Sequence, residues 1–239
     1  MSGELAQPNE GKALSAEVDG QRVDRIPLRT HVVMPEDSLD EIVTKYAAAA
    51  VRPGDILFVT EKIVAITQGR SLLLTDITPR PLAKFLARYV TKTPHGIGLS
   101  MPETMEMALR ECGTPRILLA AAVAAVTKPL GRRGDFYRIA GDKARAIDGP
   151  TSGTIPPYNK AVVLGPRKPR EVSAHIQSLL PAGVEVAVVD INDIGGNILG
   201  STLGKPGEKR LLAILRDNPL GQGHQSTPMG IIRPAGAPA

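Results

Sequence analysis

The sequence predicts a mixed fold of the α/β or α+β class, and three observations support this prediction. Apolar runs rich in Ile and Val alternate along the chain with amphipathic segments, which is the pattern of helices packed on a sheet. The 24 glycines and 21 prolines indicate many turns, which a helical bundle does not need. Apolar residues make up 42% and charged residues 22% of the 239 positions, and this composition excludes a mostly disordered chain.

The predicted strands are short apolar runs bounded by turn residues, and the run at 184–191 is apolar enough to lie inside a sheet. We predict strands at Ile26–Val33, Asp55–Thr67 (one strand or two), Phe136–Ala140, Ala161–Leu164, Val184–Ile191 and Met229–Ile232. Capping residues, early prolines and apolar periodicity favour helices elsewhere. We predict helices at Leu39–Val51, Pro81–Val90, Pro102–Cys112, Arg170–Leu180 and Lys209–Arg216, whereas the Ala-rich run Ile117–Val126 favours a helix but suits either type.

Both ends of the chain have the composition of flexible tails. Residues 1–22 contain glycines, a proline and mixed charges, and residues 235–239 contain only Ala, Gly and Pro. The sequence therefore predicts one domain over 23–234 between an N-terminal and a C-terminal tail. A division of this domain into two sub-lobes is left open.

The composition also narrows the classes of function. The net charge of +5 suits partners that carry phosphate, but three Phe, four Tyr and no Trp offer few platforms for stacking bases, so nucleic acid is not the expected partner. The single cysteine, Cys112, excludes a disulfide within the chain and a thiolate zinc site. No apolar run reaches the roughly 18 residues of a membrane span, and the first residues lack the apolar stretch of a secretory signal, so we expect a cytoplasmic protein.

The strongest candidate site directly follows the most apolar predicted strand. Asp190 and Asp193 supply carboxylates there, and Gly195 and Gly196 allow the backbone to approach a ligand closely. Ligands of open α/β sheets bind beyond the carboxyl ends of strands, and carboxylates suit a divalent cation. The alternative is a polar turn in which Asp and Asn bond to local amides.

Three further segments carry candidate residues. Asp148 lies in a loop with hydroxyls and glycines inside a basic segment that includes Arg133, and this combination suits a metal with phosphates. Lys62 interrupts an apolar region and would contact an anion, although such a lysine also commonly extends to water. Gln222 lies in a glycine-rich loop that suits the lining of a site or an ordinary turn. The sequence contains no standard P-loop, and its four histidines are interpreted as structural or surface residues.

Taken together, these segments resemble the coenzyme F420-0:L-glutamate ligase (gamma-glutamyl ligase) family from about Ile26 to Pro234. The resemblance rests on GDILFVTEKIVAITQGR, AIDGPTSG, VAVVDINDIGGNILG and GQGHQSTPMGIIRP, in that order. It implies the fold of that family and an intertwined homodimer. It also implies that Asp148 and Asp193 hold metal, with Asp190 as an alternative to Asp193, and that Lys62 and Arg133 hold phosphates or the acceptor. Gly195, Gly196, Asn197 and Gln222 would lie near the nucleotide.

The resemblance implies an amide-bond ligase that adds L-glutamate or another amino acid to a small-molecule carboxylate through an acyl phosphate. GTP or ATP would be the co-substrate, with Mg²⁺ or Mn²⁺ as the metal. The chain departs from the family pattern at Ile194, where Thr is usual, at Asn197, where Arg is usual, and at Gly149-Pro150. Because Asn does not replace the bidentate anion contact of Arg, a non-catalytic relative that binds a nucleotide or a phosphorylated metabolite is the alternative.

Overall fold

The computed structural model describes residues 7–90, 97–132, 134–151, 153–193, 195–221 and 225–235. It confirms the mixed α/β class. The chain divides into two compact units, of which unit 1 comprises residues 1–68 and 166–239 and unit 2 comprises residues 69–165. None of the described helices combines the length and the apolar character that crossing a bilayer requires.

The described residues of unit 1 form a six-stranded mixed sheet with helices attached. Its strands are β1 (Ser15–Val18), β2 (Gln21–Leu28), β3 (Ile56–Thr60), β6 (Glu185–Asn192), β7 (Gly195–Ser201) and β8 (Met229–Pro234). Its helices are α1 (Leu39–Tyr46), α2 (Glu61–Thr67), α8 (Pro169–Ser178) and α9 (Lys205–Ile214). The strand order is β1-β2-β8-β3-β6-β7, in which β3 and β6 are parallel and every other neighbouring pair is antiparallel.

Helices cover both faces of this sheet. Leu211 and Ile214 of α9 pack in one apolar cluster with Phe58, Ala187 and Val189 of the sheet. On the other face, α8 packs so closely that a Cβ on Gly200 of β7 would overlap the backbone of Arg170. The sheet is therefore a central layer, and polar groups reach water mainly where its strands end.

Unit 2 is mostly helical in the described residues. Its elements are β4 (Ser71–Leu73), α3 (Pro81–Ala87), α4 (Pro102–Cys112), α5 (Thr114–Thr127), α6 (Asp135–Ala140), α7 (Asp142–Arg145) and β5 (Ala161–Val163). The two strands pair antiparallel. The buried residues of the helices form an apolar core of their own, which includes Leu99, Met105, Ile117 and Val162.

Three sequence predictions about local structure are corrected. Residues 15–22 are not part of a flexible tail, because β1 and the start of β2 pair with each other there. Residues 61–67 form helix α2 and not a strand, and its residues 63–66 are buried, so packing outweighs the strand preference of its Ile and Val residues. Residues 136–140 belong to helix α6, in which Arg138 bonds to buried Asp135 one turn earlier.

Candidate functional site

The strand register of unit 1 brings four strand ends to one edge of the sheet. Leu28 of β2 pairs with Met229 of β8, and Met229 pairs in turn with Val59 of β3. Thr60, the last residue of β3, lies beside Val189 of the parallel strand β6. The segments that follow β2, β3 and β6 and the segment that precedes β8 therefore emerge together, as expected for a ligand site of an open sheet.

Lys62 lies at this edge because α2 begins directly after β3. Thr60 has extended backbone angles and forms the N-terminal boundary of α2, and Glu61 and Lys62 are its first residues. The backbone N–H of Thr60 donates to the carbonyl of Pro228, 2.9 Å away, which holds the segment before β8 against the same strand end. Lys62 is therefore half-buried in the first turn of a helix at a strand end, and its contact with an anion stays a prediction.

Asp190 and Asp193 lie on different sides of the hairpin formed by β6 and β7. Val189 and Ile191 pack against the α9 face, so the alternation of β6 turns Asp190 to the opposite face, together with its cross-strand partner Asn197. Asp190 lies one residue beyond the level of Thr60. Asp193 follows three residues later, about 10 Å farther along the strand direction, at the tip of the hairpin.

The Asp193 carboxylate is already held by two groups. Lys12 Nζ lies 3.0 Å from Oδ1, and the side-chain amide of Asn218 donates to the same oxygen at 3.1 Å. The hydrogen bond from Lys12 holds the pKa of the Asp193 carboxyl below its usual value, against the opposing effect of partial burial. The negative charge of this carboxylate attracts a cation. Because 56% of the Asp193 side chain is exposed, a cation from solvent can reach it.

The segment before β1 is fixed beside this hairpin, which explains how Lys12 reaches Asp193. The side chain of Asn9 is buried and donates to the carbonyl of Leu220 at 2.7 Å and to the hydroxyl of Thr227 at 2.6 Å. Lys12 Nζ donates in addition to the carbonyl of Asp217 at 2.9 Å. Lys12 and Asn218 were not predicted from the sequence, because each is separated from Asp193 along the chain and neither lies in a recognisable motif.

Gly195 and Gly196 are placed differently from the open loop that the sequence predicted. Both belong to β7, in which Gly195 has a φ of 158°, close to extended backbone. A Cβ on Gly196 would overlap the side chain of Ile191 across the hairpin. Gly196 therefore permits the tight pairing of β6 with β7, and Asn197 is a strand residue rather than a loop residue.

Asp148 belongs to unit 2, where it is held against β5. Its backbone N–H donates to the carbonyl of Val163 at 2.8 Å and its carbonyl accepts from the N–H of Val163 at 2.9 Å. A Cβ on neighbouring Gly149 would contact Thr104 and Ile97 at 3.2 to 3.5 Å, so this loop is packed closely. Arg133 and Gln222, which were predicted to contact phosphate or nucleotide, lie outside the described residues.

The described residues contain no group of three or more His, Cys, Asp or Glu that would hold a metal ion by themselves. The donor chemistry of Asp193 nevertheless fits a hard cation, since its carboxylate is accessible and already binds a positive group. Mg²⁺ commonly uses one or two carboxylates and completes its coordination with phosphate oxygens and water. A divalent ion at Asp193 would have to displace the ammonium group of Lys12.

Comparison with known proteins identifies the family. The family model for F420-0:gamma-glutamyl ligase matches residues 27–202, well over half of the chain. A curated relative, the coenzyme F420:L-glutamate ligase of Methanopyrus kandleri, is 30% identical over 82 residues. That match covers 34% of this chain and 31% of the relative, so the aligned part spans about a third of either protein. Residues 27–202, which the family model matches, contain Lys62, Asp148, Asp190 and Asp193, and the chain belongs to the F420-0:gamma-glutamyl ligase family.

Proposed function

We propose that this protein is a nucleotide- and divalent-metal-dependent ligase. In this proposal it joins L-glutamate, or another amino acid, to the carboxylate of a small molecule through an acyl phosphate. The observation that carries the proposal is the gathering of Lys62 and Asp190 at the strand-end edge, with Asp193 at the adjoining hairpin tip, in a chain of this family. GTP or ATP is the proposed phosphoryl donor, and Mg²⁺ or Mn²⁺ is the proposed metal.

The proposed chemistry needs positive groups around phosphate oxygens and a site that excludes most water. Lys62 would hold a phosphate or the acceptor carboxylate through its ammonium group. Asp193 or Asp190 would hold a divalent cation, and Asp148 is proposed as a metal ligand from the family resemblance. When bound, such a cation neutralises negative charge that develops on phosphate oxygens. A protein of this function works on dissolved substrates, and we propose the cytoplasm as its location.

Thermal unfolding with added ligands tests the metal and the nucleotide. Mn²⁺ or Mg²⁺ would be added alone and together with GTP, ATP or GDP to the wild type and to Asp148→Asn, Asp190→Asn and Asp193→Asn. A ligand at about 100 times its Kd adds roughly 2.7 kcal/mol to the free energy of unfolding, so the melting temperature should rise by several degrees. We expect a metal-dependent rise with one nucleotide in the wild type, and its loss in the variants that remove a metal ligand.

Two further variants sharpen this experiment. Asp142→Asn is a matched control, because the Asp142 side chain is fully exposed and its only described ion pair is a 3.6 Å contact with Arg145. Lys12→Met removes the ammonium that competes for Asp193, so it should raise the apparent metal affinity. A melting temperature that no nucleotide changes, with or without metal, would contradict the proposed function.

A non-catalytic relative is the second candidate, and one structural observation favours it. Lys12 holds Asp193 in an ion pair, and Asn197, which replaces the Arg usual in the family pattern, faces away from Asp193 across the sheet. This candidate predicts nucleotide binding without phosphate release. Release of phosphate from GTP or ATP in the presence of L-glutamate and F420-0 separates the two, since only a ligase gives amide product and phosphate in equal amounts.

The proposal includes a homodimer, which rests on the family resemblance. Sedimentation velocity at several protein concentrations tests it. A species of twice the chain mass of 25.3 kDa is expected, and a monomer at every concentration would contradict it.

A further inference from the structure

Three polar side chains outside the candidate site are connected in a row by hydrogen bonds. Asp37 Oδ2 lies 3.0 Å from Nε2 of His31, and Nδ1 of the same ring lies 2.9 Å from the hydroxyl oxygen of Tyr46. His31 follows β2 by three residues, and Tyr46 is the last residue of α1. The sequence motifs gave these residues no role, and histidines were expected to be structural.

The hydrogen bonds of Asp37 fix the proton on the His31 ring. Asp37 Oδ2 also accepts the backbone N–H of Met34 at 2.7 Å, so the carboxylate is held in place as an acceptor. The Nε2 atom of His31 therefore carries the proton that it donates to Asp37. Nδ1 is then the basic nitrogen, and it faces the Tyr46 hydroxyl. This is the arrangement in which a carboxylate orients an imidazole as a base toward a hydroxyl group.

The surrounding charges favour an ionised Tyr46. The hydrogen bond with His31 lowers the pKa of Tyr46 to about 8, against the opposing effect of burial. Lys45 contributes in the same direction, with its ammonium 5.0 Å from the centre of the Tyr46 ring. The bonds to Tyr46 and Asp37 in turn raise the pKa of His31. Among the described residues, His31 and Lys45 are the titratable side chains that act on the pKa of Tyr46, and Asp37 acts on His31.

Hydrogen bonds connect the segment that carries His31 to the strand-end edge. The Ser226 hydroxyl donates to the carbonyl of His31 at 3.1 Å, and the N–H of Thr30 donates to the carbonyl of Ser226 at 2.9 Å. These bonds join the segment after β2 to the segment before β8, at the edge that carries Lys62. Two strand spacings, about 10 Å, separate the end of β2 from the end of β3. His31 is 42% exposed, so a substrate can reach these three side chains from solvent.

We propose that Asp37, His31 and Tyr46 form a proton relay whose phenol oxygen accepts the proton of the attacking amine. This inference rests on the proposed ligase function, because it assigns a residue to the amine half of that reaction. Tyr46 is the catalytic residue of the relay, and His31 and Asp37 are positioning residues.

The proposed step balances as follows in atoms and charge. The amino acid arrives as an ammonium ion and transfers one proton from nitrogen to the Tyr46 phenolate. The freed nitrogen lone pair then forms the bond to the acyl carbon, and the acyl carbon–oxygen bond breaks with its electron pair on the departing phosphate. The second nitrogen proton leaves to solvent. Tyr46 regenerates its phenolate by passing its proton to Nδ1 of His31, and the imidazolium that forms releases one proton to solvent, which restores the neutral ring. A base that titrates near the working pH is the most effective for such a transfer.

The first test measures ionisation without any substrate. Phenolate absorbance in the near ultraviolet would be titrated in the wild type, in Tyr46→Phe and in Tyr89→Phe. We expect one phenolate to form at a pH of about 8 in the wild type, to vanish in Tyr46→Phe and to persist in Tyr89→Phe. Tyr89 is a suitable control because it is the more exposed tyrosine, at 68%, and lies in unit 2. His31→Gln should move this titration to higher pH.

The second test separates proton removal from acyl-phosphate formation. F420-0, nucleotide and metal would be supplied with either L-glutamate or hydroxylamine. Hydroxylamine is uncharged near neutral pH and needs no proton removed before it attacks an acyl phosphate. Tyr46→Phe should lose at least about 100-fold in kcat with glutamate, with little change in KM, and should still form hydroxamate at the wild-type rate. Asp37→Asn should show a smaller loss with the same selectivity.

The two tests give results that would contradict the proposed proton transfer. Amide formation by Tyr46→Phe at the wild-type rate, or an equal loss with both nucleophiles, would overturn the proton-transfer role. An unchanged absorbance titration in Tyr46→Phe would overturn the relay itself. If the wild type forms neither amide nor hydroxamate, the proposed function fails and the amine role with it, while the titration alone still shows whether His31 activates Tyr46.

Discussion

Glu106 is a buried carboxylate that two arginines hold in the core of unit 2. Its side chain is 1% exposed, whereas Arg80 and Arg110 are about half exposed. Arg80 donates from its backbone N–H at 3.1 Å and from Nε at 3.0 Å, and Nε of Arg110 donates at 2.9 Å. Burial acts to raise the pKa of Glu106, but the bonds from Arg80 and Arg110 outweigh it, and the pKa lies below its usual value.

Substitution Glu106→Gln should destabilise the protein by about 3 kcal/mol near neutral pH, because it removes the charge that both arginines bind. A lowered pKa stabilises the fold above the unfolded-state pKa and loses that contribution as the pH falls through the folded-state value. The difference between wild type and variant should therefore shrink below about pH 4.3, the ordinary pKa of glutamate. Urea unfolding at several pH values measures it, and a difference that does not depend on pH would contradict this account.

At the scale of the element, α5 buries little of its apolar surface within the chain. Ile117 and Ala120 are buried, whereas Leu119 and Val126 are 58% and 66% exposed. Replacing both Leu119 and Val126 by Gln should change the free energy of unfolding by less than about 0.5 kcal/mol for each residue. Ile117→Ala should cost about 2–5 kcal/mol, because it leaves a cavity in the core. Thermal unfolding compares them, and a large loss in the double Gln variant would show that these side chains are covered.

The elements that the sequence predicted well carry strong local signals. Helix α4 has the predicted bounds, Pro102–Cys112, because a proline begins it and Gly113, with a φ of 84°, ends it. Strand β6 contains the apolar run 186–189, which is fully buried. Strand β7 was missed because three of its seven residues are glycines, which carry no strand preference, and its pairing with β6 supplies the stability. Helices α2 and α6 were missed because their β-branched and aromatic residues favour strands in isolation.

The candidate site was predictable to the extent that it depends on single strands. Asp193 was predicted because it follows an apolar strand, and Lys62 was predicted because it interrupts an apolar region. The roles of both residues stay predictions. The partners of Asp193 and the relay at Tyr46 were not predictable. Both depend on which strand ends lie side by side, and the order of the strands could not be derived from the sequence. The choice between Asp190 and Asp193 as the metal ligand stays open, because the register of β3 with β6 gives the positions of both residues and not which of them binds a metal.

At the scale of the whole molecule, unit 2 interrupts the sequence of unit 1 at a single place. Gln68 and Arg167, on either side of the interruption, are joined by two hydrogen bonds, from Gln68 Nε2 to the Arg167 carbonyl at 3.0 Å and from the Arg167 N–H to Gln68 Oε1 at 2.7 Å. The two ends that unit 1 presents to unit 2 are therefore close together. Each unit also has its own apolar core.

Replacing Gly69–Gly165 by a short Gly–Ser linker should leave unit 1 folded, since closing a short loop between neighbouring ends costs little entropy. We expect cooperative thermal unfolding and protection of the β3 and β6 amides from hydrogen exchange. Full-length protein is the reference for both measurements. Exchange of those amides at the rate of an unfolded chain would show instead that unit 1 depends on residues 69–165.

The place of β8 in the sheet has a consequence for synthesis on the ribosome. Residues 229–234 are made long after β2 and β3, yet they pair with both of these strands. Until these residues leave the exit tunnel, β2 and β3 have no common neighbour, and their facing edges stay unpaired. Unit 2 is continuous in sequence and can fold while it is still being translated. A nascent chain stalled before residue 229 therefore exposes two strand edges, and it stays prone to aggregation until β8 has been made.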